Sequence, residues 1–432
     1  MKRLLALTLI LLLASPVYAA RLDSIGFETN SCTANIEVTT CNNDAATTAT
    51  IGTTNIHSGT YAMETVLASD GESSASMNFA SSYAAGALKI ARIYVYIATT
   101  TDADTDIVQF SNTDGTAIAG IKLTTSSTLQ GYTQNSTGNA LQNLGSASAA
   151  LTTGTWHYID IAASTTVTTD ATGANVFLEA SIDGSSFVSS TATNVSAGPI
   201  EALRWGIEAG SWQPGNGQLW WDDIAINDAS GSNQKTYPIG VGNIIRLSPN
   251  AAGDNNQFNS QTGGTAGSSN NFTRVNEVAP DGATSFNGAT TTFEDLYNMT
   301  DSGLHSYDTV NVVEVHDWHR GSSSSANATY KLEIEKASGG TITQGSAVTP
   351  NSTTFRANTN ATPFVPALVT YVDPTGAAWT NTTLDSMQAG MKVTTQNTNR
   401  DDISTLWVYV DYTAGSALAT AYSLPYQIWG EW

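Results

Sequence analysis

Short stretches of alternating apolar and polar residues, separated by turn formers, are the feature that most constrains the fold of this chain. Examples are 89–97 (KIARIYVYI), 156–161 (WHYIDI) and 174–182 (ANVFLEASI). Alternation over about five to nine residues between Gly, Asn, Asp and Ser is typical of β-strands. Long helical periodicity is hard to find. The sequence therefore predicts an all-β fold of two tandem antiparallel β-sandwiches.

A boundary separates two such sets of strands. Residues 229–235 (ASGSNQK) have the composition of a linker, and a new apolar run begins at Ile239. We expect a first sandwich over 21–230, a linker over 231–237 and a second sandwich over 238–412, each long enough for a core. Residues 413–432 form a tail rich in Tyr and Trp. This tail either packs back as a last strand or docks on a partner.

The first 19 residues have the pattern of a secretory signal peptide. Lys2 and Arg3 precede an apolar stretch that is too short to span a bilayer, and 17–19 (VYA) provides a cleavage pattern. A buried N-terminal helix or an uncleaved anchor is the alternative. No later apolar run is long enough to span a membrane. We therefore expect a secreted protein on a cell surface, an appendage or a virion.

The cysteines are Cys32 and Cys41, near the start of the mature chain. In an oxidising compartment we expect them to form one disulfide, with two free thiols as the alternative. Two cysteines provide neither a disulfide framework nor a four-cysteine zinc site.

The charge of the chain excludes some partners. It has 16 Lys and Arg against 37 Asp and Glu, for a formal net charge of −21. Binding to nucleic acid requires clustered Lys and Arg that neutralise phosphates, and anionic membrane surfaces attract basic segments. We expect neither kind of partner.

The first predicted sandwich carries four short motifs in a fixed order: 23–28 (DSIGFE), 57–63 (HSGTYAM), 154–158 (GTWHY) and 221–225 (WDDIA). This order resembles concanavalin A/laminin-G-like jelly rolls and related carbohydrate-binding modules, over about 21–228. The resemblance implies a jelly-roll sandwich that binds a glycan or another cell-surface polymer.

The adjacent carboxylates Asp222 and Asp223 need a partner. On a regular strand Asp222 shares parity with Ile224 and Ile226, so we expect its carboxylate to point inward. Such a carboxylate is neutralised by a calcium ion or by hydrogen bonds from a backbone turn, and both alternatives stay open. The resembling modules often hold a structural calcium ion between their first and last strands. That resemblance implies Glu28 with Asp222 or Asp223 as ligands.

Glycan capture is expected to depend on tryptophan, because sugar rings stack their C–H faces on indole. Trp212 lies in the loop-like stretch 210–217 (GSWQPGNG) and is the first candidate. An exposed loop tryptophan is unusual unless a ligand covers it. Trp205 and Trp220 are weaker candidates, since aromatic residues on strands more often belong to the core.

The second predicted sandwich resembles β-rich structural proteins of tailed bacteriophages. The residues that carry this resemblance are 244–254 (IIRLSPNAAGD), 373–380 (DPTGAAWT), 384–392 and the last predicted strand, 407–412. In those proteins such domains follow laminin-G-like modules. The resemblance implies an assembly role, with self-assembly or virion or appendage partners reached through the C-terminal tail.

Catalytic motifs are mostly missing. The first predicted sandwich has no E-x-D-x-x-E or E-x-D-x-E cluster of the laminarinase type, and the nearest carboxylates are 314–317 (EVHD) and the pair Glu333 and Glu335. His316 and His319 are three residues apart and point to opposite faces of a strand unless it bends. We expect a non-catalytic protein that binds a glycan or a surface. The alternatives are a secreted polysaccharide hydrolase or lyase, and a purely structural phage or filament component.

Overall fold

The computed structural model describes residues 21–416, apart from 33–35, 44–46, 68–71, 80–86, 113–114, 135–140, 168–173, 196–197, 208–216, 230–231, 265–266, 283, 326 and 358–365. The predicted signal peptide and most of the C-terminal tail lie outside the described residues. Strands dominate and pair into several antiparallel sheets, so the predicted all-β sandwich fold is confirmed. Among the described residues, no helix has the length and apolarity needed to cross a membrane.

The described part of residues 21–228 contains the following strands. They are β1 (Arg21–Ile25), β2 (Thr40–Asn43), β3 (Thr47–Gly52), β4 (Ala62–Leu67), β5 (Ser73–Asn78), β6 (Lys89–Thr99), β7 (Thr105–Ser111), β8 (Ala117–Leu123), β9 (Leu129–Gln134), β10 (Leu141–Ala147), β11 (Trp156–Val167), β12 (Ala174–Ile182), β13 (Ser185–Val195), β14 (Ala202–Ile207) and β15 (Gly217–Asp228).

These strands form the first sandwich. Sheet 1 has the order β13-β12-β11-β6-β15-β4-β3, with β1 also paired to β15, and sheet 2 has the order β10-β9-β8-β7-β14-β5-β2. Ile93 and Val95 of sheet 1 belong to one buried cluster with Phe110 and Ile121 of sheet 2. The alternation seen in the sequence therefore places one face of each sheet in a shared core.

The turn between β12 and β13 has the chemistry that its geometry requires. Asp183 and Gly184 both have positive φ, at 49° and 76°. A two-residue hairpin turn that follows the strand twist needs left-handed backbone at both positions, which Asp-Gly provides at low cost.

The remaining described elements follow from residue 243 onward. They are β16 (Asn243–Leu247), β17 (Pro249–Asn256), β18 (Ser260–Thr262), a 3₁₀ helix (Ser268–Arg274), β19 (Phe286–Ala289), β20 (Glu294–Met299), β21 (Thr309–Gly321), β22 (Thr329–Glu335), β23 (Ile342–Gln344), β24 (Arg356–Ala357), β25 (Leu368–Thr370), α1 (Asn381–Asp385), β26 (Gln388–Thr395) and β27 (Asp401–Thr413).

These elements form the second sandwich. Sheet 3 has the order β18-β19-β27-β21-β24, with β16 also paired to β27 and β25 to β21, and sheet 4 has the order β17-β20-β26-β22-β23. Val313 and Val408 of sheet 3 share a buried cluster with Leu332 and Met391 of sheet 4.

Strand β27 is apolar on both faces because both faces are covered. Val408 and Val410 belong to the core of the second sandwich. Trp407 and Tyr409, which alternate with them, belong to the same buried cluster as the first sandwich. Sheet 3 therefore packs against the first sandwich as well as against sheet 4, and the two sandwiches share buried surface.

A buried carboxylate joins the two sandwiches. Asp411 of β27 accepts hydrogen bonds from Arg21 of β1 at 2.6 Å and from Arg92 of β6 at 3.3 Å. All three side chains are fully buried. Burial opposes ionisation of Asp411, but the two guanidinium groups outweigh it and lower the pKa of the carboxyl. The ion pairs therefore hold the first and last strands of the described fold together.

The predicted linker also contacts both sandwiches. Gln234 accepts a hydrogen bond from Arg21 at 2.7 Å, and its side-chain amide donates to the backbone oxygen of Asn311 at 3.2 Å. In the first sandwich, Cys32 and Cys41 are joined in a disulfide with Cα atoms 5.7 Å apart.

Replacement of the junction carboxylate should destabilise the protein strongly. Asp411→Asn removes the carboxylate that the buried guanidinium groups of Arg21 and Arg92 share, and leaves Glu314 as a counter-ion to Arg21, 3.6 Å away. Loss of one partner from a buried ion pair typically costs about 3–5 kcal/mol. Urea unfolding of the full chain measures this change. The control Asp301→Asn alters an exposed aspartate and should change the free energy of unfolding by less than about 0.5 kcal/mol. Equal stability of the two variants would contradict a role for the junction.

Candidate functional site

The outward face of sheet 1 carries aromatic side chains where its inward face carries aliphatic ones. In β6, Ile93 and Val95 enter the core, and the alternate residues Tyr94 and Tyr96 point outward. Trp156 and Tyr158 of β11 lie directly opposite Tyr96 and Tyr94. Cross-strand partners project from the same face of a sheet, so these four side chains form one surface.

Three of the outward aromatics form a row across adjacent strands, which we call the aromatic row: Trp220, Tyr96 and Trp156. Trp220 and Trp156 both lie opposite Tyr96, on its two sides. Tyr96 packs edge-on against each, with centroid distances of 5.6 and 5.7 Å and interplanar angles of 89° and 61°. Tyr96 and Trp156 are half-buried, and Trp220 is 5 % exposed. Tyr96 and Trp156 therefore present ring surface to solvent, and Trp220 packs beside them at the end of the row.

His57 lies over Tyr94, the outward residue of β6 that neighbours the aromatic row. Its ring stacks on Tyr94 with centroids 3.7 Å apart and meets Trp156 edge-on at 5.5 Å. Its Nδ1 lies 2.5 Å from an oxygen of Asp223. The side chain keeps 20 % of its surface exposed. His57 thus adds a polar group to the edge of the aromatic row.

A β-bulge decides where Asp222 and Asp223 point. Asp222 pairs with Tyr94, but the next paired residue of β15 is Ala225, opposite Arg92, so one extra residue is accommodated. The expectation that Asp222 shares the inward face of Ile224 is therefore wrong. Asp222 lies on the face of Tyr94, because the bulge changes the parity of the strand. Asp223 sits within the bulge with left-handed backbone, φ 48°.

The oxygens of both aspartates accept hydrogen bonds. Asp222 accepts from the backbone N–H of His57 at 2.9 Å and of Ser58 at 3.3 Å. Asp223 accepts from the Ser58 hydroxyl at 2.7 Å and from the backbone N–H of Ile244, in the second sandwich, at 2.5 Å. Burial and, after it, the charge of Asp223 raise the pKa of Asp222 well above its usual range. The two carboxylates thus position the turn that carries His57.

Glu28 supports the other side of the same turn. Its Oε1 accepts the backbone N–H groups of Thr60 at 2.7 Å and Tyr61 at 3.0 Å. Gly59 has φ 67°, and a Cβ there would clash with the Glu28 carboxylate. Glycine is therefore required at this position both by the backbone conformation and by the close approach. Burial raises the pKa of Glu28 to about 7.

These contacts bear on the predicted calcium ligands. Glu28, Asp222 and Asp223 all support one turn, but their oxygens are taken up by N–H and O–H donors rather than converging as calcium ligands do. The geometry favours hydrogen bonding to a backbone turn, the alternative left open by the sequence. Calcium binding by these residues stays a prediction.

The predicted tryptophans have different positions. Trp220 belongs to the aromatic row. Trp205 is fully buried between the sheets and packs against Phe27 at a centroid distance of 6.5 Å, so it lies out of reach of a ligand on the surface. Trp212 falls in 208–216, outside the described residues, and stays a prediction. Sequence reasoning missed the row, because the register of β6, β11 and β15 cannot be derived from the sequence of any single strand.

A group of possible metal ligands is buried between the sandwiches. Among the described residues, the ligand atoms of Asp23, Glu314 and His316 lie within 4.8 Å of one another. Arg21 lies 3.6 Å from Glu314, and the backbone N–H of Ser24 donates to Asp23 and Glu314. Arg21 already provides positive charge there, so the group acts as part of the junction between the sandwiches.

The two histidines of β21 belong to different clusters, as their spacing suggested. His316 Nε2 lies 3.3 Å from Glu314, on the side of the first sandwich. His319 Nδ1 lies 3.0 Å from Asp317 and 2.8 Å from the Tyr330 hydroxyl, in the second sandwich.

Glu333 and Glu335 share a face of β22 and are buried. Burial and, after it, the charge of Glu294 raise the pKa of Glu333 to about 7. Glu333 accepts a hydrogen bond from the Gln344 side chain. The pair is therefore packed within sheet 4.

A cavity of about 550 Å³ lies beside β11, lined by Ser146–Thr152, Ile182, Asp183, Ser185–Phe187 and His157. His157 Nδ1 lies 2.6 Å from Asp183, and Nε2 lies 2.9 Å from the backbone oxygen of Thr152. The two ring nitrogens of His157 therefore link Asp183 and Thr152, which lie on different segments of the cavity lining.

No protein-family model matches the chain, and no curated protein is similar to it in sequence. Among solved structures, it is similar to an endo-β-1,4-glucuronan lyase from the fungus Trichoderma reesei, at 13 % identity and a TM-score of 0.35, over 48 % of this chain and 95 % of that one. It is also similar to the PL-14 alginate lyase from Aplysia kurodai, at 13 % identity and a TM-score of 0.33, over 48 % and 99 %.

A further similarity extends over both sandwiches. The tandem CBM22-1-CBM22-2 domain of Paenibacillus barcinonensis Xyn10C has 9 % identity and a TM-score of 0.27, over 90 % of this chain and 97 % of that one. At such values the similarities concern the β-sandwich fold alone. The folds that the chain resembles are those of carbohydrate-active and carbohydrate-binding β-sandwich proteins. The resemblance of 238–412 to bacteriophage structural proteins is not among these similarities and stays a prediction.

The buried Glu28 should make the protein less stable as the pH rises. Its folded-state pKa of about 7 lies above the usual value of 4.5, so the folded state binds the extra proton between these values. The stability that this proton contributes is present below about pH 4.5 and is lost as the pH rises through 7. Between pH 5 and pH 8, the difference in free energy of unfolding between Glu28→Gln and the wild type should therefore shift in favour of the variant by up to about 3 kcal/mol.

Urea unfolding at a series of pH values tests this expectation. Glu179→Gln removes a half-exposed carboxylate of sheet 1 and controls for the loss of one charge. Parallel stability curves for the wild type and Glu28→Gln would contradict the assigned environment of Glu28.

Proposed function

We propose that this protein binds a polysaccharide chain on the outward face of sheet 1. The single observation that carries the proposal is the aromatic row, in which Trp220, Tyr96 and Trp156 lie in register on three adjacent strands. The partly exposed rings of Tyr96 and Trp156 are costly to leave in water and are suited to the C–H faces of sugar rings. Backbone pairing fixes the spacing of the row, and the edge-on packing of Tyr96 against both tryptophans limits the movement of its rings before a ligand arrives.

Polar groups beside the row are suited to sugar hydroxyls. The Gln218 amide donates to Glu64 at 2.5 Å, and Glu64 lies opposite Trp220 in the neighbouring strand β4. His57 lies at the other side, over Tyr94 and Trp156. The atoms of these amide, carboxylate and imidazole groups that are not engaged with one another or with Asp223 can bond to sugar hydroxyls, which would orient the chain along the row.

The second sandwich has a structural role in this proposal. Its Ile244 N–H holds Asp223, which in turn holds His57. The backbone N–H of Gly242 donates to the Tyr94 hydroxyl at 3.3 Å. Residues of the second sandwich therefore limit the binding face on one side and fix the polar group at its edge. Secretion, predicted from residues 1–19, would bring the protein to extracellular polysaccharides.

Loss of an aromatic ring should weaken binding without unfolding the protein. Trp156→Ala and Tyr96→Ala should each reduce affinity about tenfold or more, since about 1.4 kcal/mol of lost stacking corresponds to a factor of ten. Affinity electrophoresis of the mature chain in a panel of soluble polysaccharides measures the change. Tyr307→Ala, which removes a 41 % exposed tyrosine of the second sandwich, is the matched control.

Three results would contradict this proposal: wild-type protein that binds no polysaccharide, row variants that bind as the wild type does, or an equal loss in Tyr307→Ala. A melting temperature for each variant separates loss of the site from loss of the fold. Release of reducing ends or of unsaturated products from the same polymers would instead support the hydrolase or lyase alternative.

A further inference from the structure

Positive charge is scarce in the first sandwich. Residues 21–230 contain five Lys or Arg residues and twenty Asp or Glu residues. The five basic residues are Arg21, Lys89, Arg92, Lys122 and Arg204. Because a site for an anionic polymer needs basic groups at its surface, the positions of these five decide which glycans the aromatic row can accept.

Four of the five basic side chains are at most 2 % exposed, and each pairs with a carboxylate. Arg21 and Arg92 contact Asp411 at the junction between the sandwiches. Lys89 lies 3.8 Å from Asp228, and Lys122 lies 2.8 Å from Asp104.

The fifth basic side chain lies on the other sheet. Arg204 belongs to β14 of sheet 2, is 18 % exposed and lies 4.0 Å from Glu72. The segments of 21–230 that the structure does not describe contain no Lys or Arg in their sequence, and 208–216, which precedes β15, contains Glu208. Basic side chains of residues 21–230 are therefore not available on the binding face.

The charged groups near the row are carboxylates. Glu64 is half-buried directly opposite Trp220. At the other end, Asp183 keeps 47 % of its side chain exposed but pairs with His157 Nδ1 at 2.6 Å in the wall of the cavity. Asp222 lies opposite Tyr94 and is fully buried. Glu64 is therefore the carboxylate that a ligand on the row meets first. The imidazole of His57 lies at the edge of the row, with Asp223 as its partner.

Coulomb repulsion makes this surface unsuitable for an acidic polymer. Two like charges about 4 Å apart repel by about 1 kcal/mol in water and about 4 kcal/mol near a protein surface. A polyuronate carries a carboxylate on each sugar, so a ring placed near Glu64 adds a repulsive contact. A neutral sugar has no such term, and its hydroxyls donate hydrogen bonds to the same carboxylates.

We propose, resting on the proposed polysaccharide binding, that the ligand of the aromatic row is a neutral glycan and that the site rejects polyuronates. Stacking on the row provides attraction common to both classes of polymer. The carboxylate of Glu64 provides the discrimination, because it accepts hydrogen bonds from neutral sugars and repels acidic ones.

The test compares neutral and acidic polymers on the full mature chain. Soluble β-glucan, xylan and arabinan are titrated beside alginate and polygalacturonate, at low and at near-physiological salt, with EDTA or with added calcium. At low salt we expect at least one neutral polymer to bind tenfold or more tightly than either polyuronate. Binding of the neutral polymer should change little with salt, since it involves no charge on the ligand.

A charge reversal at the row sharpens the test. Glu64→Lys should raise the affinity for polyuronates relative to the wild type at low salt, and added salt should remove the gain. Asp301→Lys makes the same change of charge on an exposed residue of the second sandwich and should leave polyuronate affinity as in the wild type. Trp156→Ala should weaken any binding that occurs at the row.

Each outcome bears on a different claim. Polyuronate binding that depends on Trp156 and equals or exceeds that of the neutral polymers, with or without calcium, would overturn the neutral-glycan inference and leave polysaccharide binding intact. An unchanged polyuronate affinity in Glu64→Lys, for protein that melts as the wild type does, would also overturn it. Absence of binding to every polymer would overturn the inference together with the proposed function.

Discussion

The contact of Asp411 with Arg21 and Arg92 is the interaction on which the rest of the structure depends. Three charged side chains from three distant parts of the chain are removed from water, and the two guanidinium groups are balanced there by Asp411 together with Glu314, which lies 3.6 Å from Arg21. Because Arg92 projects from the outward face of sheet 1, this pairing also fixes where the second sandwich lies. The second sandwich covers the end of this face that contains Arg92, and the end that contains the aromatic row lies beyond the contact.

The same junction sets the detail of the candidate site. The bulge in β15 turns Asp222 and Asp223 toward the outward face, where the second sandwich meets it. Ile244 then donates to Asp223, and Asp223 holds His57 against Tyr94 and Trp156. A strand irregularity in one sandwich and one backbone N–H of the other are thus linked through a single turn. The position of His57 is therefore a property of the assembled pair of sandwiches.

Strand alternation was enough to predict the all-β fold and its sandwich character, because the period of two is local information. The candidate site depended on two features that are not local. Trp220, Tyr96 and Trp156 become neighbours only through strand register. The orientation of Asp222 is reversed by a bulge that no residue type in the sequence predicts. Trp205 lies on a strand whose sequence resembles that of Trp220, but its side chain faces the core. The sequence of the strand alone did not distinguish the two positions.

The acidity of the chain has a structural cause as well as a consequence for its ligand. In the first sandwich most of the few basic side chains act inside the protein, as counter-ions for carboxylates that the fold has buried, and Asp411 alone engages two of them. Glu64, beside the row, accepts a hydrogen bond from the amide of Gln218 instead. A surface built in this way attracts through ring faces and hydrogen-bond acceptors rather than through charge. Stacking then has to provide most of the binding energy. A group of aromatic rings is therefore stronger support for glycan binding than a single exposed tryptophan.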